Sequence, residues 1–110
     1  MELEVEIGPL AEGESRSVRL AFGRYVMVSR IEGRLRAIDD VCNHGGCKLS
    51  EGWREGLHIV CPCHALVFDL RDGRLVTPSP LATDQVTYPV VGDGERVRLV
   101  LPDRSVPGGA

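Results

Sequence analysis

The sequence predicts an all-β domain, an antiparallel β-sandwich or barrel, on three observations. Short runs in which apolar and polar residues alternate recur along the whole chain. Turn residues separate these runs, and no helix-period pattern lasts for three turns. The 110 residues are enough for one domain and too few for two.

The elements follow in order. Leu3, Val5 and Ile7 alternate with glutamates until Gly8-Pro9 stops the run. Ser17 to Ala21, Tyr25 to Ile31 and Leu35 to Ile38 read as the next three strands, with Glu32-Gly33 as a tight hairpin turn between the last two. Leu57 to Val60 leads directly into Cys61. Val67 to Leu70 and Arg74 to Val76 flank a second hairpin turn at Arg71-Asp72-Gly73. After the proline-punctuated stretch Thr77-Pro78-Ser79-Pro80, Val86 to Val91 and Arg96 to Leu101 form a last hairpin around Gly92-Asp93-Gly94. The Pro, Gly and Ser of the stretch from Pro102 to Ala110 predict a frayed tail.

Composition narrows the function classes. A net charge of −3 leaves no basic footprint for nucleic acid. No run approaches the roughly 18 apolar residues of a membrane span, and the N-terminus lacks the charged-then-apolar shape of a signal peptide. The expected compartment is therefore the cytoplasm, where clustered cysteines more often signify metal than disulfide.

The chemistry concentrates between Val41 and Asp69. All four cysteines and two of the three histidines fall there. The pattern is C-x-H at Cys42 and His44, a spacer, then C-x-x-H at Cys61 and His64, with Cys47 and Cys63 just inside each arm. Thiolate and imidazole bind both zinc and iron, so residue type alone leaves the metal open. A zinc ribbon uses C-x2-C knuckles, and neither arm has one. One cysteine and one histidine per arm match a binuclear iron–sulfur cluster in which two histidines replace two cysteines on one iron.

On these residues the stretch resembles the Rieske 2Fe–2S family. The likeness extends to the F-D-x-x-x-G-x-L run of Phe68 to Leu75, the Thr77 to Pro80 loop and Tyr88-Pro89-Val90. It implies Cys42 and Cys61 on the inner iron of one 2Fe–2S cluster and His44 and His64 on the outer iron. It implies a cluster-binding lobe, residues 41–76, inserted in a basal β domain formed by residues 1–40 and 77–104, with 105–110 as tail. Gly45 and Gly46 would let backbone approach the sulfides, and Pro62 and the Thr77 to Pro80 loop would stiffen the site. Cys47 and Cys63 fall where one branch of the family carries a loop-to-loop disulfide, the alternative being two reduced thiols. That branch continues after its second histidine with Gly-Ser and then a tyrosine, whose hydroxyls donate to the cluster. Here Ala65, Leu66, Val67 and Phe68 offer no hydroxyl.

The resemblance implies a soluble Rieske-type ferredoxin, an electron carrier between a reductase and a terminal enzyme such as a ring-hydroxylating oxygenase. It would be no enzyme itself and have no small-molecule substrate. The alternative is a small Rieske subunit of a multicomponent enzyme such as an NAD(P)H nitrite reductase. A Rieske oxygenase is excluded, because only His58 remains to build a mononuclear iron triad. A zinc-stabilised binding module would be colourless. His58 itself reads as an ordinary half-buried or surface residue, Trp53 as packing within the lobe, and Asp39-Asp40 as a solvated strand end.

Overall fold

The computed structural model describes residues 3–20, 23–43, 46–63, 65–77, 82–93 and 95–101. Among them are ten strands: β1 (Leu3–Gly8), β2 (Ser15–Arg19), β3 (Tyr25–Ile31), β4 (Arg34–Asp39), β5 (Trp53–Glu55), β6 (His58–Val60), β7 (Val67–Asp69), β8 (Thr87–Tyr88), β9 (Val90–Gly92) and β10 (Val97–Leu101). One 3-10 turn, Leu49–Glu51, precedes β5. The strands form three antiparallel sheets, ordered β1-β10-β9, β2-β3-β4-β8 and β5-β6-β7.

β3 is the strand on which both cores meet. Its sequence, Tyr-Val-Met-Val-Ser-Arg-Ile, does not alternate between apolar and polar, because both faces are covered. Val26 and Val28, with Ala37 of β4, pack against Val97, Leu99 and Leu101 of β10 and against Leu10 and Tyr88. Met27 and Ile31, with Ile38, point the other way and meet Leu49, Ile59, Leu66, Phe68 and Leu70. One sheet thus supplies a wall to two cores, and the second core is where the small β5-β6-β7 sheet sits. Burying Phe68, which is fully covered, contributes on the order of 1.5–3 kcal/mol by area alone.

Four elements differ from expectation. The second strand begins at Ser15 and ends at Arg19, since the ladder with β3 runs back to Ser15↔Ser29, where the two hydroxyls hydrogen-bond at 2.8 Å. The expected run to Ala21 ends in residues that are not described. Val86 to Val91 is not one strand: Pro89 interrupts it, β8 pairs with β4, and β9 pairs with β10 in a different sheet. Proline has no N–H for the ladder, so the chain changes partner there. Arg74 to Val76 contributes only the bridge Phe68↔Leu75. Finally, β5 was not legible at all; it exists because the edge of β6 pairs with it.

Candidate metal centre

Two hairpin loops of equal length lie at the junction of the small sheet and the base. Val41 bridges Lys48, and Val60 pairs with Val67, so residues 42–47 and 61–66 are both six-residue loops closed by an antiparallel pair. Their internal hydrogen bonds repeat. Cys42 N–H donates to the Cys47 carbonyl at 2.7 Å, and Gly46 N–H donates back to the Cys42 carbonyl at 3.1 Å. In the second loop Cys61 N–H donates to the Leu66 carbonyl at 2.8 Å, and Ala65 N–H to the Cys61 carbonyl at 3.0 Å. The fifth residue of each loop has left-handed backbone, Gly46 at φ 83° and Ala65 at φ 55°. Glycine adopts that conformation without penalty; alanine does not.

A cysteine therefore opens each loop in the same backbone setting. Cys42 and Cys61 are both buried and share one core with Leu49, Leu66 and Phe68. Cys47, the sixth residue of the first loop, and Cys63, the third of the second, form a disulfide with Cα atoms 6.3 Å apart. Cys42 and Cys61 take no part in it. His44 and His64, the other two expected ligands, lie outside the described residues.

The first loop is held from three sides. Asp40 was expected at a solvated strand end, and the structure corrects this: its carboxylate is fully buried and accepts from Ser17 Oγ at 2.6 Å, Ser50 N at 2.7 Å and Ser50 Oγ at 2.7 Å. A buried carboxylate needs such donors, and here they tie the 3-10 turn that leaves the loop to strand β2. Asp39 is also engaged, accepting from the Tyr88 hydroxyl at 2.6 Å while Arg24 donates to that hydroxyl. Burial raises the Asp39 carboxyl above its ordinary range against the pull of Tyr88 and Arg24, and burial also raises the Tyr88 phenol. On the third side Gln85 accepts from Asn43 N–H at 3.0 Å, and Asn43 exchanges two hydrogen bonds with the backbone of Thr83.

The second loop leans on the first. A Cβ on Gly52, the residue after the 3-10 turn, would stand 1.8 Å from the Val60 carbonyl oxygen, so only glycine lets that turn touch the strand leading into Cys61. At the far end of the small sheet Arg71 grips the Asp69 carboxylate through Nη2 at 2.7 Å and Nε at 3.0 Å, which holds its pKa down at about 2. His58 is half-buried with Nε2 3.9 Å from Asp69 and stands in β6, as an ordinary strand residue. Trp53, read as lobe packing, is instead half exposed, at 50 %, on edge strand β5. It is paired with the buried Val60 at the outer edge of the small sheet, and its indole N–H donates to Glu55 at 3.1 Å.

The donor chemistry fits a metal cluster clipped between loops: two buried thiols in matched settings, and backbone that glycine and a left-handed alanine bring close. A model of the Rieske [2Fe-2S] domain matches residues 4–89, which include both loops, the β2-β3-β4-β8 and β5-β6-β7 sheets and most of β1. The chain belongs to the Rieske family. Its cofactor is accordingly one Rieske-type 2Fe–2S cluster.

This Rieske chain is 34% identical over 97 residues to the ferredoxin component of a naphthalene 1,2-dioxygenase system from Pseudomonas aeruginosa, covering 88% of this chain and 91% of that one. Its fold is similar to the ferredoxin of carbazole 1,9a-dioxygenase from Nocardioides aromaticivorans IC177, with a TM-score of 0.76, 30% identity, and 87% and 95% of the two chains covered. It is also similar to a chain in the complex of reduced oxygenase and oxidized ferredoxin in carbazole 1,9a-dioxygenase, with a TM-score of 0.78, 25% identity, and 87% and 91% covered. Among the described residues no helix is long and apolar enough to cross a membrane.

Sequence reasoning missed Asp40, Asn43 and Gln85. The first was misread because charge predicts exposure in most contexts. The other two did carry a signal, since each is the only residue of its type in the chain.

Proposed function

We propose that this protein is a Rieske-type ferredoxin that carries one electron at a time from a reductase to a terminal oxygenase. The observation that carries the reading is the pair of matched six-residue loops, each opened by a buried cysteine and clipped by the Cys47–Cys63 disulfide, in a chain of this family. Cys42 and Cys61 would hold the inner iron and His44 and His64 the outer one, within a lobe of residues 41–76 on a base formed by 1–40 and 77–104. The cluster supplies a one-electron couple at an accessible potential. The chain's own residues keep the cysteine thiols out of water, fix the spacing of the two loops and commit the nearby polar groups to the protein. This reading requires no substrate pocket. The carrier is placed in the cytoplasm, a compartment that keeps most thiols reduced; Cys47 and Cys63 pair there because the fold holds them together at high effective concentration.

Two measurements test this. Replacing Cys42, His44, Cys61 or His64 with alanine should each abolish the visible chromophore, while His58→Ala should leave it; an intact spectrum in His44→Ala would remove the ligand assignment. Purification from the native source under non-denaturing conditions should yield a free, reddish-brown small protein. A stable stoichiometric complex would instead make it a fixed subunit of a larger enzyme.

A further inference from the structure

The chain has one asparagine and one glutamine, and they are hydrogen-bonded to each other. Asn43 stands between Cys42 and His44. Gln85 comes 42 positions later, after the proline-bearing loop, and is 6% exposed. Its amide is saturated. Nε2 donates to the carbonyls of Asp39 at 2.9 Å and Val41 at 3.0 Å, and Oε1 accepts from Asn43 N–H and from the Asn43 side chain. With two carbonyls on one side and two N–H groups on the other, the amide can sit only one way round. Asn43 completes the joint as a backbone mimic, donating to the Thr83 carbonyl at 2.8 Å and accepting from Thr83 N–H at 2.9 Å. The 83–85 segment is itself anchored to the turn that follows β7, where Gln85 N–H donates to the Gly73 carbonyl at 2.8 Å and Asp84 accepts from Leu75 N–H at 2.8 Å.

We propose that Asn43 and Gln85 form a clamp that positions the first ligand loop, holding Cys42 in place in both redox states of the cluster. This rests on the electron-carrier reading and deepens it. Three features separate a positioning role from plain stability. The clamp reaches past the loop's base at Val41 and also grips Asn43, the residue between the two expected ligands. It consumes Asn43 N–H, so that this amide is withheld from the cluster sulfurs. It also links the first arm to the small sheet that carries the second, through Gly73 and Leu75, by a path that avoids the disulfide. An electron carrier benefits from such a joint because a ligand loop that shifts on reduction adds to the barrier for transfer, and the buried Gln85 amide, with every group satisfied, is the rigid half on which the exposed Asn43 side chain is fixed.

The test compares Gln85→Leu, Asn43→Ala and the double variant with wild type and with Val97→Ala. Val97 is fully buried in the other core, so its truncation lowers stability without touching the loops. Three quantities are read: the rate of cluster release to an iron chelator well below the unfolding temperature, the reduction potential, and deuterium exchange of peptides covering residues 41–43. Each single clamp variant is expected to release its cluster about tenfold faster, which corresponds to about 1.4 kcal/mol. Each should also shift the potential, by a change of threefold or more in electron affinity, and lose protection at 41–43. The double variant should differ little from either single one, since residues acting as one unit are not additive. Val97→Ala should unfold more easily yet leave release, potential and loop exchange unchanged. The clamp is overturned if Gln85→Leu and Asn43→Ala match wild type in all three, or if Val97→Ala reproduces their effects. A wild-type protein without a 2Fe–2S spectrum would overturn the carrier reading instead, and loop exchange would still decide the clamp.

Discussion

Ala65 holds a backbone conformation, φ 55°, that a residue with a Cβ adopts at a cost of roughly 1–2 kcal/mol. The matched position of the other loop is Gly46, which carries no such cost. Ala65→Gly should therefore stabilise the protein. Part of the gain is offset because glycine frees the unfolded chain, leaving about 0.5–1 kcal/mol, or a rise of a few degrees in Tm. Calorimetry of both proteins checks it, and a drop in Tm would show that the loop is not strained. A second residue-scale effect is acid sensitivity at Asp69. Its folded pKa of about 2 lies below the ordinary 3.8, first because of the Arg71 hydrogen bond. A depressed acid contributes stability above its unfolded pKa and loses it as pH falls from about 3.8 to about 2. Arg71 is more than half exposed, so water screens the pair and the contribution is about 1 kcal/mol or less. In urea titrations Asp69→Asn should be the less stable protein at pH 6 and should converge on wild type near pH 2. A gap that persists to pH 2 would count against this pairing.

Close approach between elements is the next constraint, and it falls on Gly52. A Cβ there would meet the Val60 carbonyl oxygen at 1.8 Å and Pro62 Cδ at 3.1 Å. Backbone cannot yield as a flexible side-chain tip does, so Gly52→Ala must push the 3-10 turn away from β6. Overpacking of this kind costs about 1–3 kcal/mol and here also spreads the two loops. The variant should lose cluster content in proportion to its loss of stability. Gly13→Ala is the contrast: nothing lies within 4 Å of its Cβ, and only the φ of 84° resists the change. It should lower Tm modestly and leave the visible absorbance per protein unchanged. Equal cluster content in both variants would mean that the 3-10 turn does not set the loop spacing. The same scale explains Pro89, where a missing N–H lets one stretch of chain serve two sheets.

For the whole molecule the decisive quantity is the reduction potential. Rieske centres span roughly −150 to +300 mV, governed by hydrogen bonds to sulfur, exposure and net charge. After the second arm Ala65 has no hydroxyl, while Leu66 and Phe68 are buried in the core. Thr77 Oγ1, the nearest hydroxyl in sequence, accepts from Val67 N–H at 3.3 Å. A charge-assisted hydrogen bond to sulfur favours the reduced cluster by roughly 1.5–3 kcal/mol at most. At 59 mV for each tenfold change, or about 1.4 kcal/mol, two absent donors lower the potential by on the order of 100 mV. The net charge of −3 acts in the same direction, since it opposes adding an electron. The expected potential at pH 7 is below roughly 75 mV, the middle of the family range. Protein-film voltammetry measures it directly, and a value near the top of the range would show that other groups tune this cluster.

The sequence by itself determined what depends on near neighbours. Alternation placed β1, β4 and β10 within a residue or two, the mostly apolar run from Tyr25 to Ile31 placed β3, and turn residues placed the hairpins. The spacing of Cys42 and His44 in one arm and Cys61 and His64 in the other located the two arms and their family. Tertiary structure alone decided which groups meet across the chain. Asp40 reads as a surface charge until Ser17 and Ser50 supply its donors. Trp53 reads as a core residue until edge strand β5 carries it outward, and Val86 to Val91 reads as one strand until Pro89 divides it between partners. Asn43 and Gln85 are single polar residues 42 positions apart. The physical reason is common to all four. Periodicity records which way a side chain faces relative to its neighbours in sequence, whereas burial and hydrogen-bond partners depend on what the rest of the chain brings to that face.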